Sequence, residues 1–346
     1  MRCWNMTRRD FASAVALSAG VASSPPAPSL SLIKPPALRE GDTVALITPA
    51  TGVTDPGELS AAADAVRSFG LRPRLGANVS RQIGYLGGTI DQRLDDLHSA
   101  FRDPDVRGIF CIRGGYGSAQ LLDRIDYGLI RSHPKIFVGY SDITALHLAI
   151  HKKAGLVTFH GPVIIFKGST AHFNEYTVRW YRKALFAREP LGRLENPVSH
   201  GLSSLHPGAA HGRLTGGNLT LIGSLMGTPY EIDARGAILF TEEIGEQPYR
   251  IDRILTQLRL AGKLSDAAGV LFGECIACDA GGCTPEFTPS LSVREVLDEI
   301  VGKLNAPSMA GLAIGHSEDQ LTLPLGVQAT LDASRCQLTI DESAVS

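Results

Sequence analysis

Apolar runs too short for helices alternate with amphipathic stretches at helical spacing, and this alternation constrains the fold more than any other feature of the chain. Residues 43–48 (TVALIT) are a β-branched run that stops at Pro49, which predicts a buried strand. Pro56 to Phe69 then carries Leu59, Ala63, Val66 and Phe69 at helical spacing, and Asp91 to Phe101 carries Leu94 and Leu97 on one face. Gly108–Ile112 and Lys135–Tyr140 read as further strands, and Asp142–His151 as a helix. Strands separated by helices build βαβ units and a mostly parallel sheet. In such a sheet ligands lie outside the carboxyl ends of the strands. Two loops fall there, 113–117 (RGGYG) and 139–142 (GYSD).

The 346 residues are enough for two domains. The stretch 188–212 is rich in Pro, Gly, Ser and His with little periodicity, and reads as a linker. It separates an N-terminal α/β domain, 36–187, from a second, β-rich α/β domain, 213–346. The second domain is expected to hold strands at Ala237–Thr241 and Ala268–Phe272, helices at Arg250–Ala261 and Ser292–Leu304, and a β-rich tail.

A net charge of −2 gives no reason to expect nucleic acid or an anionic membrane as partner. After the N-terminus no apolar run is long enough to span a bilayer. The N-terminus itself has a signal-like order. Thr7-Arg8-Arg9-Asp10-Phe11 leads into an apolar run ending at Ala22, followed by Ser/Pro-rich residues 23–28. That order describes a secretory signal, and the paired arginines resemble the twin-arginine type. Export to the periplasm is the expectation, with 1–35 as signal and linker; an uncleaved extension is the competing reading. Cys111 sits in a strand-like run and reads as a buried small hydrophobe. Cys275, Cys278 and Cys283 form a C-x-x-C-x-x-x-x-C cluster, read as unligated loop cysteines, with a disulfide or zinc as alternatives. No catalytic metal is assigned.

Ser141 stands between a strand and a helix, the placement a nucleophile elbow uses to lift a hydroxyl toward a cleft. The helix N-terminus behind it offers free N–H groups to an oxyanion. A serine before a helix is also a common N-cap. Ile143 stands where G-x-S-x-G needs its second glycine, which disfavours an ordinary α/β-hydrolase. A nucleophilic serine needs a base, and the base an orienting acid. His316, in Gly315-His316-Ser317-Glu318-Asp319, is the candidate base, or else a polar loop residue. Glu242 and Glu243 close an apolar strand and are the carboxylate candidates, unless that strand end simply reaches solvent.

These residues lie in blocks that together resemble the LD-carboxypeptidase family. The blocks are PPALREGDTVALITPA (35–50), RGGYGSAQLL (113–122), FVGYSDITALH (137–147), GGNLTLIGSLMGTP (216–229), ILFTEEIGEQPYRIDRIL (238–255) and GHSEDQLTLPLG (315–326). The resemblance covers nearly all of the chain after the signal. It implies a Ser–His–Glu triad in a crevice between the two domains, with Ser141 as nucleophile, His316 as base and Glu242 as orienting acid. Glu243 takes a place where many members have Asp. Backbone N–H groups of Asp142 and of a loop glycine, Gly115, are the implied oxyanion donors. Arg113 is a candidate for the substrate carboxylate. The implied reaction removes terminal D-alanine from murein tetrapeptides without cofactor. A microcin C self-immunity peptidase of the same family, and a non-catalytic murein-peptide binder, are the alternatives. The resemblance leaves a homodimer open.

Overall fold

The computed structural model describes residues 30–166, 168–170, 173–279 and 287–346. The expected alternation takes form as strands β1 (Thr43–Ile47), β2 (Arg72–Leu75), β3 (Val106–Cys111), β4 (Ile136–Gly139) and β5 (Thr158–His160). The second half supplies β6 (Gly192–Arg193), β7 (Ser203–His206), β8 (Ala209–Asn218), β9 (Ala237–Ile244), β10 (Gly269–Ile276), β11 (Ser308–Leu312), β12 (Leu323–Leu325), β13 (Gln328–Asp332) and β14 (Gln337–Ile340). One sheet has the order β12-β5-β4-β3-β1-β2 and is parallel except for β12. The other runs β6-β14-β13-β8-β9-β10-β11-β7, with parallel β8–β11 at its centre and antiparallel strands flanking them. This is the expected mixed α/β fold with two sheets.

The two halves of the sequence interlock more than the linker reading implies. The segment 188–212 does connect the sheets, but β6, β7 and the start of β8 lie inside it and belong to the second sheet. In return, β12 comes from beyond the linker and completes the first sheet beside β5. Residues of both halves share each of the two apolar clusters, so Leu32–Ser346 form one compact unit. Two first-sheet strands escape sequence reasoning. Arg72-Pro73-Arg74-Leu75 is an exposed edge strand, where a proline and charges are tolerated, and β5 is only three residues long.

Helices obey their caps. Thr89 and Ser292 each form a capping box, with Gln92 and Glu295 respectively. Cys111 is buried in β3 as expected. Cys275 and Cys278 are not unligated: they are joined by a disulfide across the turn that ends β10, where Ala277 takes a positive φ of 56°. Cys283 and the twin-arginine-like segment lie outside the described residues. Among the described residues no helix is long and apolar enough to cross a membrane, and no three His, Cys, Asp or Glu side chains gather as a metal-ligand set.

Candidate active site

Strand β4 is buried along its whole length and delivers Tyr140 and Ser141 at its carboxyl end. The helix expected from Asp142 starts as a short 3₁₀ turn, Ser141–Ile143, and becomes α-helical over Thr144–Ala154. Ser141 itself has φ 61°, a left-handed conformation that costs a non-glycine residue roughly 1 kcal/mol or more. Strain of this kind is what a nucleophile elbow displays. Ser141 is not the N-cap, which is Tyr140, and no side chain caps this turn. Its hydroxyl instead meets His316 Nε2 at 3.1 Å.

The partners arrive from the second sheet. Glu242 lies within β9, which runs three residues further than the apolar pattern suggested, to Ile244. Its carboxylate is completely buried, and Oε2 lies 2.8 Å from His316 Nδ1. A carboxylate only accepts, so Nδ1 carries the proton and Nε2 presents a lone pair to the Ser141 hydroxyl. The three expected residues are thus brought into one hydrogen-bonded chain. The imidazole is flanked by the rings of Tyr140 and Phe166, with centroids at 4.7 and 5.8 Å.

Gly315 explains how the pair comes so close. A Cβ on it would lie 2.3 Å from Glu242 Oε2, and its φ of 96° suits only glycine. Glu243, on the opposite face of β9, takes no part. Its oxygens accept from Asn218 Nδ2 at 2.9 Å, from the Thr220 N–H at 2.8 Å and from the Ile244 N–H at 2.9 Å. It anchors the start of the helix Leu219–Ser224, and burial pushes its carboxyl above the ordinary range.

The 113–117 loop lies against the serine. Gly114 abuts Ser141: a Cβ there would come within 3.2 Å of the serine Cβ. Gly115 has φ 100° and sits over Thr51, whose hydroxyl would be 2.2 Å from an added Cβ. Arg113 is half exposed at the end of β3, with Glu58 at 3.9 Å. Asp142 ties this loop to the serine turn: its Oδ2 accepts the Ser118 N–H at 2.8 Å, while the Ser118 hydroxyl donates to the Asp142 carbonyl at 2.5 Å. Burial raises the Asp142 carboxyl, and these bonds oppose the rise. Buried Arg93 donates to the Gly117 carbonyl at 2.8 Å and to the Pro49 carbonyl at 3.0 Å, fixing the far end of the loop.

Residues 44–161 match the LD-carboxypeptidase N-terminal domain and residues 211–331 the LD-carboxypeptidase C-terminal domain. A protein of Bacillus subtilis called probable murein peptide carboxypeptidase is 43% identical over 90% of this chain and 95% of its own. The chain belongs to the LD-carboxypeptidase family. The murein tetrapeptide carboxypeptidase of Pseudomonas aeruginosa is 33% identical over 84% of this chain and 94% of its own. Among solved structures, the wild-type apo microcin C7 self-immunity protein superposes with a TM-score of 0.82 at 25% identity, over 91% of this chain and all of that one. The muramoyltetrapeptide carboxypeptidase of Oxalobacter formigenes superposes with 0.74 at 27% identity, over 86% and 97%.

Within this LD-carboxypeptidase fold, the sequence reading missed the residues that support the site. Asn218 and Thr144 are the clearest. The Asn218 N–H donates to Thr144 Oγ1 at 2.9 Å, which docks the end of β8 onto the first turn of the helix behind Ser141. Gly217 permits this approach, since a Cβ there would lie 2.5 Å from Thr144. The GGN sequence was visible, but its partner 74 residues away was not. His147 was also missed: its Nε2 donates at 2.7 Å to the Gly139 carbonyl, two residues before Ser141.

Proposed function

We propose that this protein is a serine LD-carboxypeptidase that releases terminal D-alanine from murein tetrapeptides. The observation that carries this reading is the hydrogen-bonded chain Ser141–His316–Glu242, assembled from two sheets around a strained serine. Ser141 attacks the carbonyl of the terminal peptide bond, and His316 Nε2 takes its proton. Glu242, buried and bonded to Nδ1, holds the tautomer and stabilises the imidazolium. His316 then protonates the departing D-alanine nitrogen, and water activated by the same histidine hydrolyses the acyl-enzyme. The Asp142 N–H, at the start of the helical turn, and an N–H of the glycine loop are the oxyanion donors in this scheme. Arg113 is assigned to the substrate carboxylate, because Glu58 at 3.9 Å holds it only loosely.

Murein peptide is favoured over a microcin-type substrate because identity is 43% to the probable murein peptide carboxypeptidase of B. subtilis and 33% to the murein tetrapeptide carboxypeptidase of P. aeruginosa, against 27% to the microcin C7 self-immunity protein of Escherichia coli. The twin-arginine-like N-terminus adds a proposal of export, in keeping with a cell-wall substrate. The test is incubation with purified tetrapeptide and mass detection of D-alanine. Release by the parent protein and none by Ser141→Ala supports the reading. Equal release by both proteins contradicts it.

A further inference from the structure

The loop that carries His316 is closed on itself. The Leu321 N–H donates to the Ala313 carbonyl at 2.8 Å, the Ser317 hydroxyl to the Asp319 carbonyl at 2.7 Å, and the Gln320 amide to the Ser317 carbonyl at 2.9 Å. Whatever holds Asp319 therefore also holds His316. Among the described residues, two side chains from outside the loop bond Asp319, and beside it Thr177 Oγ1 accepts the Gln320 N–H at 3.0 Å. Asn174 Nδ2 donates to Asp319 Oδ1 at 2.8 Å, and His200 Nε2 meets Asp319 Oδ2 at 3.2 Å. The other ring nitrogen of His200, Nδ1, meets Glu274 Oε1 on β10. The same segment is stitched to the root of the loop by Asn196, which accepts from the Ala313 N–H at 2.8 Å and donates to the Gly311 carbonyl at 3.0 Å.

This arrangement has a proton requirement. Ionised carboxylates only accept, and a neutral imidazole has one N–H and one lone pair. An imidazole with a carboxylate at each nitrogen therefore needs both N–H donors. When the second proton leaves, one N–H···O contact becomes a meeting of two lone pairs. Among the described residues, the surrounding groups do not replace that proton. On and beside the helix Glu175–Phe186 they are Tyr176, whose hydroxyl donates to the Glu195 carbonyl, and Arg179, which pairs with Glu195 at 3.1 Å. Next to Asp319 in the chain is Glu318. On the other side, Asp279 and Arg294 line with Glu274 a groove of about 350 Å³, and Arg294 pairs with Asp298 at 2.9 Å. The groove gives Glu274 a route for proton exchange with solvent.

We propose that His200, Glu274 and Asp319 form a proton-dependent brace that positions His316, and that His200 is a positioning residue for turnover. The inference rests on the proposed role of His316 as general base. Turnover falls when the brace loses its proton and the His316 loop loosens, so the brace supplies an alkaline limb of the pH profile.

The experiment measures kcat and KM for tetrapeptide across pH in the parent protein, Glu274→Gln and His200→Phe. A glutamine can donate its amide to the lone pair of neutral His200, so Glu274→Gln keeps the brace at every pH. Its alkaline limb should vanish while kcat at the optimum stays within about threefold of the parent. His200→Phe removes the brace: kcat should fall about tenfold with KM nearly unchanged, and again no alkaline limb should remain. Parental profiles in both variants would overturn the proposal. A readout independent of activity uses ¹⁵N-histidine-labelled Ser141→Ala protein, with His200 assigned by its absence in a matching His200→Phe variant. Two protonated ring nitrogens near neutral pH support the brace even if no tetrapeptide is cleaved. A single neutral tautomer there overturns it even in an active enzyme.

Discussion

The two sides of the candidate site are built in different ways. The serine side is local. Ser141, its strained turn and the helix behind it lie within 19 consecutive residues, Ile136 to Ala154, and a neighbouring loop is pinned onto them by Asp142 and Ser118. The histidine side is assembled at long range. Glu242 and His316 are 74 residues apart, and the loop of His316 is held by Asn174, Asn196 and His200 from a part of the chain more than 110 residues earlier. A local turn can be strained because a continuous strand and helix over-determine it. A base loop without such a frame depends on separate side-chain contacts. It is therefore the side on which single substitutions should separate turnover from folding.

Among the groups that support the nucleophile, the largest effect should come from breaking the histidine side at its acid. Glu242→Gln is expected to lower kcat by about 10²–10⁴-fold, with a smaller change in KM. Glu243→Gln should leave kcat nearly unaltered, because its carboxylate faces Asn218 and Thr220 and not His316. Purified, folded variants assayed on tetrapeptide decide this. A dead Glu243→Gln with a near-normal Glu242→Gln would show that the face assignment along β9 is wrong. Next in size is Gly315→Ala. The added Cβ would have to push aside Glu242 Oε2, 2.3 Å away, so kcat should fall by roughly 10²-fold while circular dichroism still reports a folded chain. An active Gly315→Ala would mean that the Glu242–His316 contact is not needed.

On the serine side, apart from the nucleophile itself, the expected losses are smaller. Ser118→Ala removes a hydroxyl bond to the Asp142 carbonyl but keeps the backbone bond to its side chain. One such bond is worth about 1 kcal/mol, so kcat should drop about fivefold. A loss as large as that of Glu242→Gln would erase the contrast between the two sides.

The smallest effect concerns stability and pH. Burial holds His147 and His151 at about 4, below the ordinary 6.5, and depresses His160 as well. The unfolded chain takes up these protons first on acidification. Stability from the neutral histidines is thus full above about pH 6.5 and is lost as pH falls toward 4. The melting temperature should decline through that window, and His160→Phe should flatten part of the decline. A His160→Phe slope equal to the parent's would remove His160 from the account.

The same contrast explains what could be read in advance. The parallel strands, the buried Cys111 and the strand–Ser141–helix junction are written in contiguous residues, where periodicity is informative. The motif resemblance brought Glu242 and His316 together with Ser141, which no local pattern could do. What escaped reading was long-range or set by approach distance. Gly114 packs against Ser141 across 27 residues of sequence, and Arg93 reaches a loop 24 residues away. The 188–212 segment has no periodicity because β6 and β7 are two and four residues long, too short to show one. Yet it carries Asn196 and His200, which reach the His316 loop.

The most direct measurement of the central claim is reaction with a fluorophosphonate, followed by peptide mass mapping. The account predicts a single adduct on Ser141, formed rapidly in the parent protein and far more slowly in His316→Ala and Glu242→Gln. An adduct on another serine, or labelling of Ser141 at the same rate without His316, would contradict it.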